Sequence, residues 1–361
     1  MRTWLRLGEF IGSHMAFISP GCVVLGVLFP QIGALKPLVT PLFAFMTFQS
    51  ALSNTFGNLA RTVRHPAPAL VSLALASVVM PCVACALATA LFGSDPNLVC
   101  GIVLEYSVPI AVVAAMWSGM LGGDPSLALA TILVSTVAAP FSIPLTLHVL
   151  LGQTVQVDAA RMMGEMVVSI ALPALLGTAV NDASRGRAAR EISPAIAPAA
   201  KIALVLVVLT NSTGVAPYVR NLTPTLVAVA AFICVFAACG YGLGLLAALA
   251  LRRQREQVAT MTYLVGMRNI SAGAVIAGEY FPGEVMFPVV IGTLFQQVLA
   301  ALYGSVLRRM GAGEVSGGAL ETVGPKKHTL ARRKSGKPQM AFSGRIPAVI
   351  APRREGRGSM G

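Results

Sequence analysis

The sequence predicts an all-α polytopic membrane protein, and three observations predict it. The chain of 361 residues is 55% hydrophobic and 11% charged, where a soluble domain carries about 25% charged residues. Its charges gather in short clusters, and the apolar runs between them approach the ~20 residues a helix needs to span a bilayer. Those runs are continuously apolar and do not alternate every second residue, which excludes a closed β-barrel.

Ten candidate spans follow in order: Met15 to Leu35, Pro37 to Leu52, Ala67 to Phe92, Leu98 to Leu121, Leu127 to Leu151, Met163 to Val180, Ala197 to Thr213, Thr225 to Leu251, Ala259 to Ala277 and Val285 to Leu307. Several contain Pro or Gly, which membrane helices tolerate where neighbours satisfy the freed backbone groups. Glu165 and Lys201 fall near span ends, where a charged tip can reach the interface. Loop charge sets the orientation. Arg61 and Arg64, then Arg185, Arg187 and Arg190, then Arg252, Arg253 and Arg255, then Arg308 and Arg309 occupy alternate loops. The intervening loops hold Lys36, Arg161 and Arg220 beside the acids Asp95, Asp158, Glu279 and Glu284. The positive-inside rule then places both termini in the cytoplasm, consistent with an even number of spans.

Spans four and nine are interrupted, by Pro109 in EYSVPIAVV and by Gly266, Asn269 and Gly273 in VGMRNISAG. Five spans per half would make the halves inverted repeats, residues 1–157 and 158–310, and interrupted segments at matching places point to a substrate site near the midplane. Ordinary Pro and Gly kinks would give the same residues. Beyond them, Gly311 to Gly361 turns to Gly, Pro, Ser, Lys and Arg, and reads as a basic, disordered cytoplasmic tail.

The net charge of +13 does not indicate nucleic acid. Ten Lys or Arg and three Glu fall in the tail, the remaining excess sits in loops, and no recognition motif accompanies it. Proximity to anionic lipid accounts for both. The six cysteines lie in or beside apolar runs, and Cys82-x-x-Cys85 has no second Cys or His pair, so small-hydrophobe packing is expected. Arg2 and Arg6 are followed by Glu9 without a cleavage-site pattern, which predicts a retained first helix. His14, His65, His148 and His328 are scattered, and no metalloprotease, nucleophile-elbow or P-loop pattern occurs. No enzyme activity, cofactor or bound metal is expected. Gly240-Tyr-Gly-Leu-Gly244 reads as a close helix-packing face. The sequons at Asn211 and Asn221 are too short a pattern to decide anything.

One residue stands out. Arg268 is a lone charge inside the apolar stretch Met261 to Ala277. Placing it at membrane depth costs roughly 2.5–3.5 kcal/mol on insertion scales. Such residues face a protein interior or a water-filled cavity, usually with a partner.

Three segments, in order and spacing, resemble the bile acid:sodium symporter family: LFAFMTFQSALSNTFGNLARTVRHPAP, VLEYSVPIAVVAAMWSGMLGGDPSLALATILVSTVAAPFSIPLTLHVLL and TYLVGMRNISAGAVIAGEYFPGEVMFPVVIGTLFQQ. The likeness runs from about Met1 to Met310. It implies about ten helices in two inverted five-helix repeats, a core domain in which broken helices four and nine cross, and a smaller panel domain. It also implies sodium-coupled uptake of organic anions by alternating access.

The sodium ligands that the resemblance implies are absent. Where the family has Gly-Gly-Thr-Ala-Ser-Asn after the span-four proline, Pro109 is followed by Ile110, Ala111, Val112, Val113, Ala114 and Ala115. The span-five hydroxyls align with Ala128 and Ile132, and the span-three glutamine aligns near Ala76. The span-nine acid and amide have become Leu264 and Arg268, while Asn269 matches. A hard cation needs several oxygen ligands, and these side chains offer none. Arg268 then places a fixed positive charge where the family holds an ion, and its guanidinium suits carboxylate pairing.

Glu105, four residues before Pro109, is the expected partner. It balances Arg268 until an anionic substrate displaces it, or it carries a proton, or the pair is structural. Asn269 and Ser271 are the next substrate-binding candidates with Pro109 at the break; Ser107, Ser118, Gln49, Ser50, Asn54, Gln296 and Gln297 fit interhelical hydrogen bonds better. The expected function is secondary transport of a small organic anion across a bacterial inner membrane, coupled to sodium, to a proton or to neither. An uncoupled facilitator or exporter, and a sensor or partner protein that no longer transports, are the alternatives.

Overall fold

The computed structural model describes residues 2–64, 66–152 and 158–318, and every regular element among them is a helix. In chain order these are α1 (Arg2–Ser13), α2 (Met15–Leu28), α3 (Pro30–Ala51), α4 (Phe56–Arg64) and α5 (Ala67–Phe92). Next come α6 (Pro96–Ser107), α7 (Val113–Met120), α8 (Pro125–Leu151), α9 (Ala159–Ala183) and α10 (Ala188–Arg220). The last are α11 (Pro224–Ala250), α12 (Arg255–Gly266), α13 (Ile270–Tyr280) and α14 (Gly283–Gly318). Short sequence signals start several of them. Asp95 and Asp124 each precede a proline at the first helical position and accept two backbone N–H bonds, and Thr223 before Pro224 accepts one from Leu226.

Among the described residues, seven helices are long and apolar enough to cross a membrane: α3, α5, α8, α9, α10, α11 and α14 as far as Met310. Their outer faces are apolar as a lipid-facing surface requires: Leu91, Val149, Val168, Val235 and Leu246 are 63% to 67% exposed. The segments α6, α7, α12 and α13 have 12, 8, 12 and 11 residues. At about 1.5 Å per residue each reaches about 18 Å or less, so none crosses alone. The last helix continues past Met310 to Gly318. The expected tail from Gly311 lies, beyond residue 318, outside the described residues, as do His65 and His328.

The interruptions at Pro109 and Gly266 are full breaks and not kinks. Pro109 has no N–H and pushes the preceding Val108 into extended backbone (φ −66°, ψ 156°), so α6 ends at Ser107. Met267 is likewise extended (φ −109°, ψ 129°) and ends α12. The two breaks lie side by side as a short antiparallel pairing of Ile110 with Arg268. Asn269 N–H donates to the Pro109 carbonyl at 2.8 Å, and Ala111 N–H donates to the Met267 carbonyl at 3.2 Å. Side chains complete the accounting: Ser135 Oγ accepts from Ile110 N–H at 2.9 Å, and Gln296 Oε1 accepts from Arg268 N–H at 2.8 Å. Unwound backbone at membrane depth is tolerated where such partners exist.

Around the breaks, α11 packs along α12 and closes on it through small residues. A Cβ at Gly244 would come within 2.6 Å of the Met261 carbonyl, which bears out the helix-packing reading of that glycine run. The α3 helix lies against α9 and α10, and α1 lies along α10, where Trp4 Nε1 donates to the Ala195 carbonyl at 2.9 Å. The six cysteines are free. Among the described residues no group of three or more His, Cys, Asp or Glu could hold a metal ion.

Candidate functional site

A cavity of about 760 Å³ lies between α1, α3, α7, α10, α13 and α14, with α8 behind the breaks. Most of its wall is apolar. Three of the expected site residues line it, Arg268, Asn269 and Ser271, together with Gln49, Ser50, Asn54, Gln296 and Gln297. Glu105, Pro109, Ser107 and Ser118 do not.

Arg268 sits at the crossing and is 3% exposed. Its Nη2 donates to the Ala76 carbonyl at 3.0 Å. Ala76 belongs to the π turn Leu75–Val79 inside α5, a local widening of the helix of the kind often found at functional sites. Arg268 Nε and Nη1 have no hydrogen-bond partner among the described residues. The guanidinium carries five N–H donors, so most of its capacity is uncommitted. Ala76, Ala114, Ile132, Leu264 and Met267 share one buried apolar cluster at this crossing. Four of these are positions where the family resemblance implies sodium ligands, and the Ala76 carbonyl, an oxygen available among them, is held by Arg268.

Glu105 is also 3% exposed. It does not pair with Arg268: the ion pairs among the described residues are Arg161–Glu165 and Arg187–Glu191. Its carboxylate lies against α14 instead. A Cβ at Gly292 would fall 2.5 Å from Glu105 Oε1, and Glu105 Oε2 has no hydrogen-bond partner among the described residues. The expected direct partnership therefore fails on geometry, because α6 directs the side chain towards α14 and not across the breaks. Two buried charges of opposite sign still interact through the low-dielectric interior without touching.

Pro109 contributes its carbonyl to the crossing and no side-chain chemistry. Asn269 caps α13, its Oδ1 accepting from Ala272 N–H at 3.2 Å. Asn269→Ala is expected to destabilise the protein by about 1 kcal/mol through loss of that cap, read as a lowered thermal midpoint in detergent.

The remaining polar candidates mostly tie helices together. Gln49 Nε2 donates to Ser193 Oγ at 3.1 Å, Trp117 Nε1 donates to Gln297 Oε1 at 3.0 Å, and Ser118 Oγ pairs with Thr260 Oγ1 at 2.8 Å. Ser107 Oγ stays within its own helix, donating to the Val103 carbonyl at 2.6 Å.

Two cavity residues were not singled out by sequence reasoning. Lys201 is not a span-end charge reaching an interface. It lines the cavity, and its Nζ donates to the Gly8 carbonyl of α1 at 2.8 Å. Asn211, met in the sequence only as a sequon, is a buried cavity residue of α10, 4% exposed and inaccessible to glycosylation. On the side opposite the basic loops, Tyr280 OH donates to Glu165 Oε2 at 2.6 Å and Thr40 Oγ1 donates to Glu279 Oε1 at 3.2 Å, fastening the end of α13 to α9 and α3.

Residues 40–222 match the Sodium Bile acid symporter family. The chain is also 36% identical over 296 residues to the Uncharacterized protein YbaS of Bacillus subtilis (strain 168), an alignment covering 82% of this chain and 97% of that protein.

Proposed function

We infer a transport function from one premise: this chain belongs to the sodium bile acid symporter family. Family membership and the membrane-helical architecture support an integral membrane transporter of the bile acid symporter type. The finer reading is ours. Adding α2, the α6–α7 pair and the α12–α13 pair to the seven long helices gives ten spans, arranged as inverted halves 1–157 and 158–310. Both termini, with the basic tail 311–361, face the cytoplasm of a bacterium. The cargo is a small organic anion, moved by alternating access across the inner membrane.

The observation that carries this reading is the buried Arg268 guanidinium hydrogen-bonded to the Ala76 carbonyl. A sodium ion at that crossing would need several oxygens. The aligned side chains are alkyl, and the Ala76 carbonyl is already engaged. Arg268 acts as a resident cation in place of a dissolved one. It makes the adjoining cavity favourable to an anion, through its field and its spare donors. Asn269 and Ser271 line the same wall and contact the substrate. Glu105, buried behind the breaks, offsets the charge when the cavity holds no anion. Proton uptake by Glu105 would couple transport to a proton gradient. An uncoupled facilitator is the second reading, favoured by the loss of the sodium-ligand side chains.

Proteoliposomes loaded under separate sodium, proton and voltage gradients test this with a panel of monocarboxylates and sulfonates. Uptake is expected to be unchanged when sodium is replaced by choline. A proton gradient that drives accumulation selects the coupled form, and counterflow indifferent to every gradient selects the facilitator. A sodium-driven current overturns the resident-cation reading.

A further inference from the structure

The cavity differs at its two ends. Towards the basic loops its wall includes Glu9, Met116 and Met120, all exposed. The chain just past α7 lies beside the loop that carries Arg252, Arg253 and Arg255, where Asp124 N–H donates to the Glu256 carbonyl at 3.4 Å. In the opposite direction the last lining residues of α3 and α13 are Phe43 and Ala274, both buried.

Four polar side chains stand just beyond that buried end. Thr40 is about one turn past Phe43 on α3, and Glu279 and Tyr280 end α13 a little over one turn past Ala274. Thr40 Oγ1 donates to Glu279 Oε1, and Tyr280 OH donates to Glu165 Oε2 of α9. Arg161 Nε takes the other carboxylate oxygen, donating to Glu165 Oε1 at 2.8 Å, and so fixes the acceptor that Tyr280 uses. These bonds tie α13, a half-helix that begins at the break, to two long helices, α3 and α9. On the open side the half-helices bond to each other and to α14: Ser118 Oγ of α7 pairs with Thr260 Oγ1 of α12, and Tyr263 OH of α12 donates to the Ala300 carbonyl at 3.0 Å. One rigid segment links the two regions. α13 carries Ser271 in the cavity wall at its first turn and Tyr280 in the fastening at its last. A latch must hold and also release. Glu165 and Glu279 are exposed, and a hydrogen bond in contact with water is worth about a fivefold change in an equilibrium.

We propose that the pairs Tyr280–Glu165 and Thr40–Glu279 form a latch that shuts the cavity on the side opposite the basic loops, and that α13 is the arm that swings when it opens. This rests on the transport reading and adds to it one barrier of the transport path and the residues that hold it closed.

The test is thiol labelling of Thr47→Cys, a cavity position one turn inward of Phe43, in membrane vesicles of each orientation. A charged, membrane-impermeant maleimide is applied from outside, and modification of the peptide that holds position 47 is followed by mass spectrometry, which sets aside the six native cysteines. With the latch intact, modification from the basic-loop side is expected to be faster by about tenfold or more, because the oppositely open state is a minor population. Adding Tyr280→Phe is expected to raise the rate from the opposite side about fivefold, and adding Thr40→Val to raise it further. Equal rates from the two sides with the latch intact overturn the closed end. An opposite-side rate that Tyr280→Phe and Thr40→Val both leave unchanged overturns the latch. Labelling requires no solute, so either failure leaves the transport reading standing, and absent uptake overturns that reading and not the barrier. Because the first comparison uses the intact latch, a variant that fails to fold does not shelter the proposal.

Discussion

Arg268→Met is expected to weaken anion binding by about 100-fold and to abolish measurable uptake. Methionine keeps most of the side-chain volume and removes the charge. A unit charge about 6 Å from an anion, at an effective dielectric of about 20, contributes on the order of 3 kcal/mol, which corresponds to that factor. The substitution also leaves Glu105 as a buried carboxylate with no opposite charge nearby, since it makes no ion pair of its own. Removing one member of a buried, charge-balanced set typically costs several kcal/mol. Arg268→Met is therefore expected to lower the thermal midpoint as well, and adding Glu105→Gln to restore stability without restoring binding. Thermal unfolding and equilibrium binding on the same preparations separate the two effects. Wild-type affinity in the single variant would remove Arg268 from the site.

Gly266→Ala is expected to be the most damaging small substitution outside the cavity. A Cβ at Gly266 would collide with Cγ and Cδ1 of the Tyr241 ring. That ring cannot swing away freely, because Tyr241 OH donates to the Gln296 carbonyl at 2.9 Å and the residue is fully buried. Gln296 in turn holds the Arg268 N–H through Oε1. Displacing Tyr241 therefore pulls on the residue that fixes the break. Overpacking of this kind costs about 1–3 kcal/mol, and we expect at least a tenfold loss of uptake with a lower melting temperature. Gly164→Ala is the matched control, since a Cβ there meets nothing within 4 Å. Equal behaviour of the two variants would show that the Tyr241 contact does not transmit to the crossing.

How much of this was legible in the sequence depends on where each signal resides. The breaks were legible because Pro109 and Gly266 act locally, on their own backbone. Arg268 was legible because one charge in an apolar run needs no neighbour to be noticed. Its hydrogen-bond acceptor was not, because a main-chain carbonyl such as that of Ala76 leaves no mark in a sequence. Glu105 was placed by sequence distance from Pro109, but its direction was invisible. Every residue from Leu98 to Ser107 is buried, so α6 has no polar face from which to read orientation. The same holds for the cavity stripe of α10, where Leu204, Val207 and Val208 look like any lipid-facing run. The number of long helices fell three short of the number of apolar runs: spans four and nine are halves joined by extended residues, and the first run is divided between the 14-residue α2 and the start of α3.

The crossing of the two breaks has a further consequence. The extended residues around Ile110 and Arg268 are fastened to each other by main-chain carbonyls, which every residue type supplies, and by main-chain N–H groups, which every type but proline supplies. The scaffold at the heart of the molecule is thus largely indifferent to which side chains decorate it. Ion ligands can be exchanged there for alkyl groups, and a neutral amide for a guanidinium, without dismantling the architecture that positions them. On the resident-cation reading proposed above, such a scaffold would let the driving ion change while the main-chain framework stays the same.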